Sequence, residues 1–324
     1  MLRLCLLFCL PLPWLSRSSS TRWEAAIHQW NREVQEMNST KTERFTAYLI
    51  LTVITLLAVL PLLMTFFTSM KGDEEFAAGA TRLLPAAWHP SNYIRALQMA
   101  EWGLFLKNSV VVTGAAVLGS LIFNTMAGFA FARIRFKGRS LLFLLLLVGL
   151  MIPAQVTVIP QFLVLKSIPL FGGNDMFGHG GNGWLDSYYA LIVPELSGAF
   201  GVFMARQFYL QMPKALDEAA YIDGSGYTRL FFFIYLPLSG PLIATLGIFK
   251  FVGVWNDFFH PLIYTNSPAM RTVQLGLQVF RGENQVQYNL LMAATLLVSI
   301  PILVMFLLFQ KQFIRSAISS SVKG

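Results

Sequence analysis

The chain has 324 residues, of which 55% are hydrophobic and only 12% are charged, with a formal net charge of +8. Soluble globular domains carry about 25% charged residues, so this composition excludes an ordinary soluble domain and indicates a lipid environment. The basic residues lie at the ends of long apolar runs, which argues against a nucleic-acid partner. Cys5 and Cys9 both lie near the N-terminus, and no Cys/His set has the spacing of a zinc site. We predict ordinary loop or interface positions, not metal ligation, for the scattered histidines: His28, His89, His179 and His260.

Residues 1–44 precede the first apolar span and are expected to form a cytoplasmic extension. The opening sequence MLRLCLLFCLPLPWL resembles a secretory signal, but it ends without a small-residue cleavage site. Two interpretations are open for residues 1–36. They form a genuine leader or membrane-associated segment, or the reading frame starts too early and Met37 is the natural start. The sequence MNSTKTERFTAYLIL is typical of a short cytoplasmic lead into a first span, which favours the second interpretation.

Six apolar stretches are long enough to cross a bilayer, because a helical crossing needs about 20 residues. They cover residues 47–67, 108–132, 140–165, 187–205, 238–264 and 288–310. Backbone groups in hydrocarbon must be satisfied within the segment, so the sequence predicts an all-α integral membrane protein with six transmembrane helices.

The distribution of Lys and Arg predicts that both termini are cytoplasmic, because basic residues favour the cytoplasmic side. The turn RIRFKGR at 133–139 is the strongest single signal. An even number of crossings returns the chain to the side from which it started. The connection between the fourth and fifth spans is therefore expected in the cytoplasm.

Two segments between these spans have unusual composition. Pro153 and Pro160 in the third span can open the helix and free carbonyl groups, although most membrane prolines only kink a helix. The glycine-rich segment 171–184 lies outside, between the third and fourth spans, and is a flexible contact for an external protein or a plain connector. The outer segment 72–106 is a second candidate contact.

The connection between the fourth and fifth spans reads KALDEAAYIDGSGYTRLFFFIYLPLSGP. Pro213 just before it suits the first turn of a helix, and Asp217 and Glu218 lie near the positive end of the helix dipole. Gly224 and Gly226 end the helix, since glycine takes positive φ freely. A second short helix follows, so the sequence predicts a helix-turn-helix knob. Composition alone also fits an amphipathic helix on the membrane surface.

The spacing within this knob is more specific than its composition. It reads EAA, three residues, G, nine residues, I, one residue and LP, which here are Glu218-Ala219-Ala220, Gly224, Ile234 and Leu236-Pro237. This pattern resembles the EAA motif of binding-protein-dependent ABC importer permeases. The resemblance covers most of the chain from about residue 45 and is to the carbohydrate branch, similar to the second permease subunit of maltose-type and glycerol-phosphate-type importers. Further matching sequences are AsnTyr at 92–93, AsnSer at 108–109, MIPAQVTVIP at 151–160, WND at 255–257, ProLeu at 261–262 and ValLysGly at 322–324.

The resemblance implies the type I ABC importer permease fold over residues 45–316, followed by a cytoplasmic tail at 317–324. In that family the knob docks as a coupling helix in a groove of a cytoplasmic ATPase. The resemblance implies this role for Glu218, Ala219, Ala220, Asp223 and Gly224. It also implies a bacterial inner-membrane location and three kinds of partner: a homologous permease subunit, two ATP-binding subunits and an extracytoplasmic solute-binding protein.

The chain has no GxxxxGK[ST] sequence to cradle ATP phosphates, so a partner ATPase is expected to bind ATP and no cofactor or metal is expected here. Charged residues within spans are functional candidates. Glu195, Lys250 and Asp257 either line a polar cavity against a partner permease, or Lys250 snorkels or pairs with Glu195 for structural reasons.

An aromatic pair in the fifth span is a further candidate for the substrate pathway. Phe251 and Trp255 are four residues apart, with Asn256 adjacent. An aromatic face beside hydrogen-bonding groups suits a sugar. The alternative for Trp255 is an aromatic anchor near the outer membrane interface.

We therefore expect a permease subunit of an ATP-driven importer for a sugar or sugar derivative, not an enzyme. One alternative is a secondary transporter driven by an ion gradient, in which the intramembrane charges bind protons or sodium. Another is an ABC importer permease for amino acids or peptides. A membrane-embedded enzyme lacks support, because paired carboxylates, HExxH and nucleophile motifs are missing from the sequence.

Overall fold

The computed structural model describes residues 41–77, 82–282 and 286–321. These residues are helical and contain no β-strand, apart from one isolated antiparallel bridge between Arg281 and Val286. The all-α prediction is therefore confirmed. The predictions for residues 1–36, including Cys5, Cys9 and His28, lie outside the described residues.

The chain divides into two compact units, residues 1–63 and 64–324. The described part of the first unit belongs to helix α1 (Lys41–Ser69). Residues 45–63 of this helix are almost entirely apolar and are exposed on every face. A helix that is apolar all round is typical of a membrane span, which agrees with the first predicted span.

The second unit contains the remaining described helices. They are α2 (Asp73–Ala77), α3 (Ser91–Gln98), α4 (Trp102–Arg133), α5 (Arg139–Met151), α6 (Ala154–Lys166), α7 (Tyr188–Ile192), α8 (Ala199–Gln211), α9 (Ala215–Ile222), α10 (Tyr227–Leu238), α11 (Gly240–Trp255), α12 (Phe259–Tyr264), α13 (Val273–Gly276) and α14 (Tyr288–Ser321).

Within the described residues, four helical segments are long and apolar enough to cross a membrane. They are Phe45–Ser69, Trp102–Arg133, Tyr188–Gln211 and Tyr288–Phe309. Two bent helix pairs raise the number to six if each pair forms one span. The six predicted spans therefore all correspond to helical segments, but two of them are not straight.

The third predicted span is broken at Pro153, where α5 and α6 meet at 111°. Ile152 is extended, with ψ of 120°, as is usual for a residue before proline. Pro160, by contrast, lies inside α6. Of the two possibilities considered for the prolines in 140–165, an opened helix and a simple kink, Pro153 therefore takes the first.

The fifth predicted span is also divided. Helix α11 ends at Trp255, and α12 begins at Phe259. At its other end, α11 meets α10 at 78° across Ser239, and Pro241 lies in the first turn of α11, where a proline is tolerated. The membrane-crossing part of this region is therefore shorter than the apolar stretch in the sequence.

Helices α4 and α8 pack closely through small residues. A Cβ atom on Gly128 would lie 2.4 Å from the Cβ of Ala205, and one on Gly201 would lie 2.3 Å from Nδ2 of Asn124. The Asn124 side chain accepts hydrogen bonds from Ser197 Oγ and from the backbone N–H that follows it. Small residues and interhelical hydrogen bonds are the usual determinants of helix association in membranes.

Two asparagines of the sequence pairs AsnTyr and AsnSer tie interhelical loops to the helices. The Asn92 amide donates to the backbone carbonyls of Ser69 and Lys71, both at 2.9 Å. The Asn108 amide donates to two carbonyls of the loop at 269–271, at 2.8 and 2.9 Å. Both asparagines are buried, so each of these pairs has a structural reason.

The glycine-rich segment at 171–184 is held by its own hydrogen bonds. The Asn174 amide donates to the carbonyls of Lys166 and Ile168 at 2.7 and 2.9 Å. The Asp175 carboxylate accepts from two backbone N–H groups of the same segment. These bonds favour one ordered loop conformation over a freely flexible connector.

Candidate functional site

The knob predicted between the fourth and fifth spans is present as α9, a tight turn and α10. Gly224 takes a φ of +72°, which side chains rarely adopt, and the N–H of Ser225 donates to the carbonyl of Ala220 at 2.9 Å. The second helix is longer than expected, because it continues through a π-helical turn at Phe231–Tyr235 to Leu238. We call residues 215–238 the knob.

The two faces of α9 differ sharply in exposure. Glu218, Ala219 and Asp223 are exposed. Ala220 is only 2% exposed and packs in a core cluster with aromatic residues of α8 and α10. Ala220 therefore faces its own chain, unlike the exposed Glu218, Ala219 and Asp223. Its small side chain lets α9 seat closely on the body of the protein.

The tip of the knob presents apolar side chains to its surroundings. Ile222 is 86% exposed and Tyr221 is 48% exposed. A hydrogen bond with the hydroxyl of Tyr227 raises the pKa of Tyr221 to about 12. Exposed apolar residues beside acidic ones are typical of a protein-binding surface.

A charged cluster joins the knob to the helical body. Asp217 forms an ion pair of 3.2 Å with Arg133 at the end of α4, and it accepts a 2.5 Å hydrogen bond from the hydroxyl of Tyr235. Arg133 also donates to the carbonyls of Tyr209 and Met212 at the end of α8, at 2.8 and 2.6 Å. We call Asp217, Arg133 and Tyr235 the clamp. It connects α9 and α10 with the ends of α4 and α8.

The clamp is largely shielded from solvent, with 7% of the Arg133 side chain and 16% of the Asp217 side chain exposed. The Arg133 guanidinium also lies 5.3 Å from the ring centroid of Tyr235. Sequence reasoning treated Asp217 only as a favourable charge at a helix start and Arg133 only as a topology signal. Both residues carried a signal, but nothing in the sequence indicated that they pair.

A second cluster contains the charged residues predicted within the spans. Lys250 Nζ lies 2.5 Å from a carboxylate oxygen of Glu195. Asp257 lies 2.7 Å from Nδ1 of His260 and also accepts from two backbone N–H groups at the start of α12. We call Glu195, Lys250, Asp257 and His260 the polar cluster. His260 was expected to be an ordinary loop or interface residue and not a metal ligand; its contact with Asp257 was not predicted.

The donor atoms in this cluster could hold a metal ion by geometry. One ligand atom each from Glu195, Asp257 and His260 lie within 4.8 Å of one another. Two carboxylates and an imidazole are common ligands of divalent cations. However, the ammonium group of Lys250 already neutralises Glu195 and would repel a divalent ion at this distance. The arrangement fits a network of paired charges better than a metal centre.

The pathway candidates beside the polar cluster, Phe251, Trp255 and Asn256, differ in burial. Phe251 and Trp255 stack with centroids 5.5 Å apart and planes at 10°. Trp255 is 2% exposed, and its indole N–H donates to the carbonyl of Val298 at 3.1 Å. In this conformation Trp255 is an interior packing residue and is open neither to a solute nor to the membrane interface. Phe251 is half-buried, and the exposed Asn256 accepts from Gln274 at 3.0 Å.

Comparisons with known proteins agree on one family. The profile of the family described as "Binding-protein-dependent transport system inner membrane component" matches residues 124–318. The chain is 32% identical to a probable ABC transporter permease protein, YurM, of Bacillus subtilis, over 82% of this chain and 83% of the relative. It is 33% identical to the arabinooligosaccharides transport system permease protein AraQ of Halalkalibacterium halodurans, over 84% and 93%.

Another relative is the sn-glycerol-3-phosphate transport system permease protein UgpE of Yersinia pestis, at 31% identity over 82% of this chain and 92% of the relative. Among solved structures, the fold resembles a bacterial ABC transporter involved in the import of the acidic polysaccharide alginate. That similarity has a TM-score of 0.68 and 20% identity over 93% of this chain and 99% of the other.

Proposed function

Because the chain belongs to the family of binding-protein-dependent transport system inner membrane components, we propose that it is a permease subunit of an ATP-driven importer for a sugar or sugar derivative. The family is a transport family, so the chain acts in translocation rather than catalysis. The sugar assignment is supported by the names of two relatives, which transport arabinooligosaccharides and sn-glycerol-3-phosphate.

The observation that carries the coupling part of the proposal is the clamp. An exposed knob passes on force only if it is firmly attached to the spans. Arg133 lies at the end of α4. It forms an ion pair with Asp217 of α9 and donates hydrogen bonds to two carbonyls at the end of α8. A displacement of the knob is therefore transmitted directly to two membrane helices.

In the proposed mechanism, the exposed residues Glu218, Ala219 and Asp223 and the turn at Gly224 seat in a groove of an ATP-binding subunit. ATP binding closes the two ATP-binding subunits and moves the knob. The clamp carries this movement to α4 and α8, which shifts the cavity between inward-facing and outward-facing states. A loaded solute-binding protein favours the same change by binding one state more tightly than the other.

The polar cluster is proposed to line the translocation pathway, together with Phe251 and Asn256. Intramembrane charges almost always face a protein interior or a water-filled cavity. The pairing of Lys250 with Glu195 lowers the cost of holding both charges within a membrane. Hydrogen-bonding groups and a half-buried aromatic ring in this region suit a hydroxyl-rich solute. Trp255 acts here as packing support.

The proposed assembly contains a homologous permease subunit, two ATP-binding subunits that hold the ATP, and an extracytoplasmic solute-binding protein. We place the chain in a bacterial inner membrane with both termini in the cytoplasm. The permease domain covers residues 45–316, between the extension 1–44 and the tail 317–324. No metal or cofactor of its own is proposed for this chain.

A reconstituted complex tests the proposal. The chain is purified with its co-expressed partner subunits, placed in liposomes and assayed for ATP hydrolysis and uptake of the ligand carried by the cognate binding protein. We propose that Glu218 pairs with a basic side chain of the groove. Glu218→Lys is then expected to lower ligand-stimulated hydrolysis about tenfold or more, because two like charges at an interface cost several kcal/mol. Lys214→Gln, an exposed change just before α9, is the matched control.

Two outcomes would contradict the proposal. Stimulation that is unchanged in Glu218→Lys would remove the coupling role of the knob. Uptake that continues without the ATP-binding subunits would instead support a transporter driven by an ion gradient. If the binding protein carries an amino acid or a peptide, the sugar assignment alone fails.

A further inference from the structure

Three arginines surround one cleft at the end of the helical body. The cleft has a volume of about 730 Å³ and lies where the turn after α4 and the start of α5 meet α8. Arg135, Arg139 and Arg206 supply its charge. The remaining lining residues are Phe136, Gly138, Ser140, Leu141 and Phe143. Arg133, which belongs to the clamp, does not line it.

None of the three arginines forms an ion pair with a carboxylate in the part of the chain that the structure describes. Arg139 donates to the carbonyls of Ile134 and Ala132 at 3.2 and 3.4 Å. Arg206 Nε donates to a carbonyl of α4 at 3.3 Å, and its guanidinium lies 4.0 Å from the ring centroid of Phe143. These contacts hold the two guanidinium groups in place without neutralising their charge.

The start of α5 adds a further positive potential to the same cleft. This helix has 13 residues, begins at Arg139 and has no acidic residue in its first turn. Its N-cap is Gly138, so no side chain caps the free N–H groups. Because a helix N-terminus attracts anions, the uncapped N–H groups and Arg139 together favour an anion at this end of α5.

The other wall of the cleft is apolar and continues along α5. Leu141 in the cleft is 62% exposed, and Leu144 and Leu145 on the next turn are 56% and 57% exposed. Residues of this kind at the end of a membrane helix face lipid chains. A soluble anion would use the arginines but would gain nothing from the leucines. An anionic lipid would use both, because its charged headgroup carries acyl chains.

We propose that this cleft binds the phosphodiester headgroup of an anionic phospholipid, with the acyl chains along α5. Basic pockets between membrane helices on the cytoplasmic side are suited to such headgroups. Only the choice of the cytoplasmic leaflet rests on the proposed function. The bound phosphate replaces the missing counter-charge and holds the start of α5 against α8. Arg135 and Arg139 lie close in sequence to Arg133 of the clamp. The attachment of the knob is therefore expected to depend on the lipid.

The test measures lipid binding by the purified full chain in detergent, by native mass spectrometry and by titration with labelled phosphatidylglycerol or phosphatidylcholine. We expect selective retention of phosphatidylglycerol, weakened about fivefold by each arginine that is changed to glutamine. Arg135→Gln is the most informative single variant, since this side chain is exposed and forms no hydrogen bond or ion pair with the residues that the structure describes. Lys137→Gln, in the same turn but outside the cleft, should change binding less than about twofold.

Three results would overturn the proposal: equal retention of both lipids, unchanged phosphatidylglycerol binding in the Arg135/Arg139/Arg206 triple glutamine variant, or displacement of the lipid by millimolar inorganic phosphate, which would indicate a site for a free anion. In a second measurement, the chain is co-purified with its ATP-binding subunits. If the arginine variants lose an ATP-binding subunit there while lipid binding is unchanged, the surface belongs to a protein partner and the lipid assignment is wrong. This assay needs no transport, so its outcome is independent of the proposed importer activity.

Discussion

Replacing Asp217 with leucine tests the clamp by leaving the charge of Arg133 without its partner. The Arg133 side chain is only 7% exposed, and the Tyr235 hydroxyl loses its acceptor in the same variant. Removing one member of a buried ion pair costs about 3–5 kcal/mol. Because 16% of the Asp217 side chain is exposed, we expect the lower end of this range, about 3 kcal/mol in the free energy of unfolding.

A double-mutant cycle separates the pair from the loss of each side chain. Arg133→Met removes the ion pair and the hydrogen bonds to the Tyr209 and Met212 carbonyls. The double variant Arg133→Met/Asp217→Leu contains neither charge, so it escapes the cost of an isolated buried ion. We expect it to be more stable than the sum of the single effects predicts, by about 2 kcal/mol.

The assay is reversible unfolding of the purified chain in mixed micelles, followed by circular dichroism and tryptophan fluorescence. Asp223→Leu is the matched control, because Asp223 is exposed at the end of the same helix and forms no ion pair in the described part of the chain. It should change the free energy of unfolding by less than about 0.5 kcal/mol. Strictly additive effects of the Arg133 and Asp217 variants would refute the clamp.

Three further variants test the turn, the helix packing and the loop that Asp186 holds at residues 266–267. Gly224→Ala should destabilise the knob by about 1–2 kcal/mol because φ at this position is +72°, while Gly226→Ala, at φ −78°, should have little effect. Proteolysis of the knob compares the two variants, and equal cleavage rates would argue against the turn. Gly128→Ala should lower the melting temperature, because the added methyl group clashes with α8. Gly114→Ala in the same helix meets open space and should leave the melting temperature unchanged. A normal melting temperature for both variants would contradict the close approach of α4 and α8. Burial raises the pKa of the Asp186 carboxyl. Hydrogen bonds from the backbone N–H groups of Asn266 and Ser267 and from the Ser267 hydroxyl outweigh burial and hold this pKa below its usual value. Its stabilisation is therefore complete above the unfolded-state pKa of about 3.9 and is lost as the pH falls through the lower folded-state pKa. Asp186→Asn should flatten this acid-dependent fall in melting temperature, and an unchanged pH profile would contradict the assignment.

The architecture was predictable where local composition decides it. Long apolar runs identified the helices, and Gly224 identified the turn of the knob. The break at Pro153 was only partly predictable. A proline allows both a kink and a complete helix end, and packing of the two halves selects between them.

The contacts of the candidate sites were predictable only in part. Lys250 and Glu195 were weighed as a pair because both are charges within spans, which leaves few alternatives for a partner. Arg133 and Asp217 lie far apart in sequence, and each had an adequate local explanation. Pairing of this kind depends on how α9 docks against the ends of α4 and α8.

The orientation of single residues on apolar helices was the least predictable feature. Ala220 lies on a helix of eight residues, too short for periodicity to identify the buried face. Trp255 lies on α11, which is apolar almost all round apart from Thr245 and Lys250, so its sequence cannot distinguish an interior position from an interfacial one. Both positions follow from packing against other helices.

The central claim is that the knob transmits force from a cytoplasmic ATPase. Its most direct test is the accessibility of the knob tip in membranes, using Ile222→Cys in a chain whose Cys5 and Cys9 are changed to serine. We expect an impermeant maleimide to label this cysteine in inverted membrane vesicles, and the ATP-binding subunits to block the labelling. Labelling from the outer face of intact spheroplasts, or labelling that the ATP-binding subunits leave unchanged, would contradict the account.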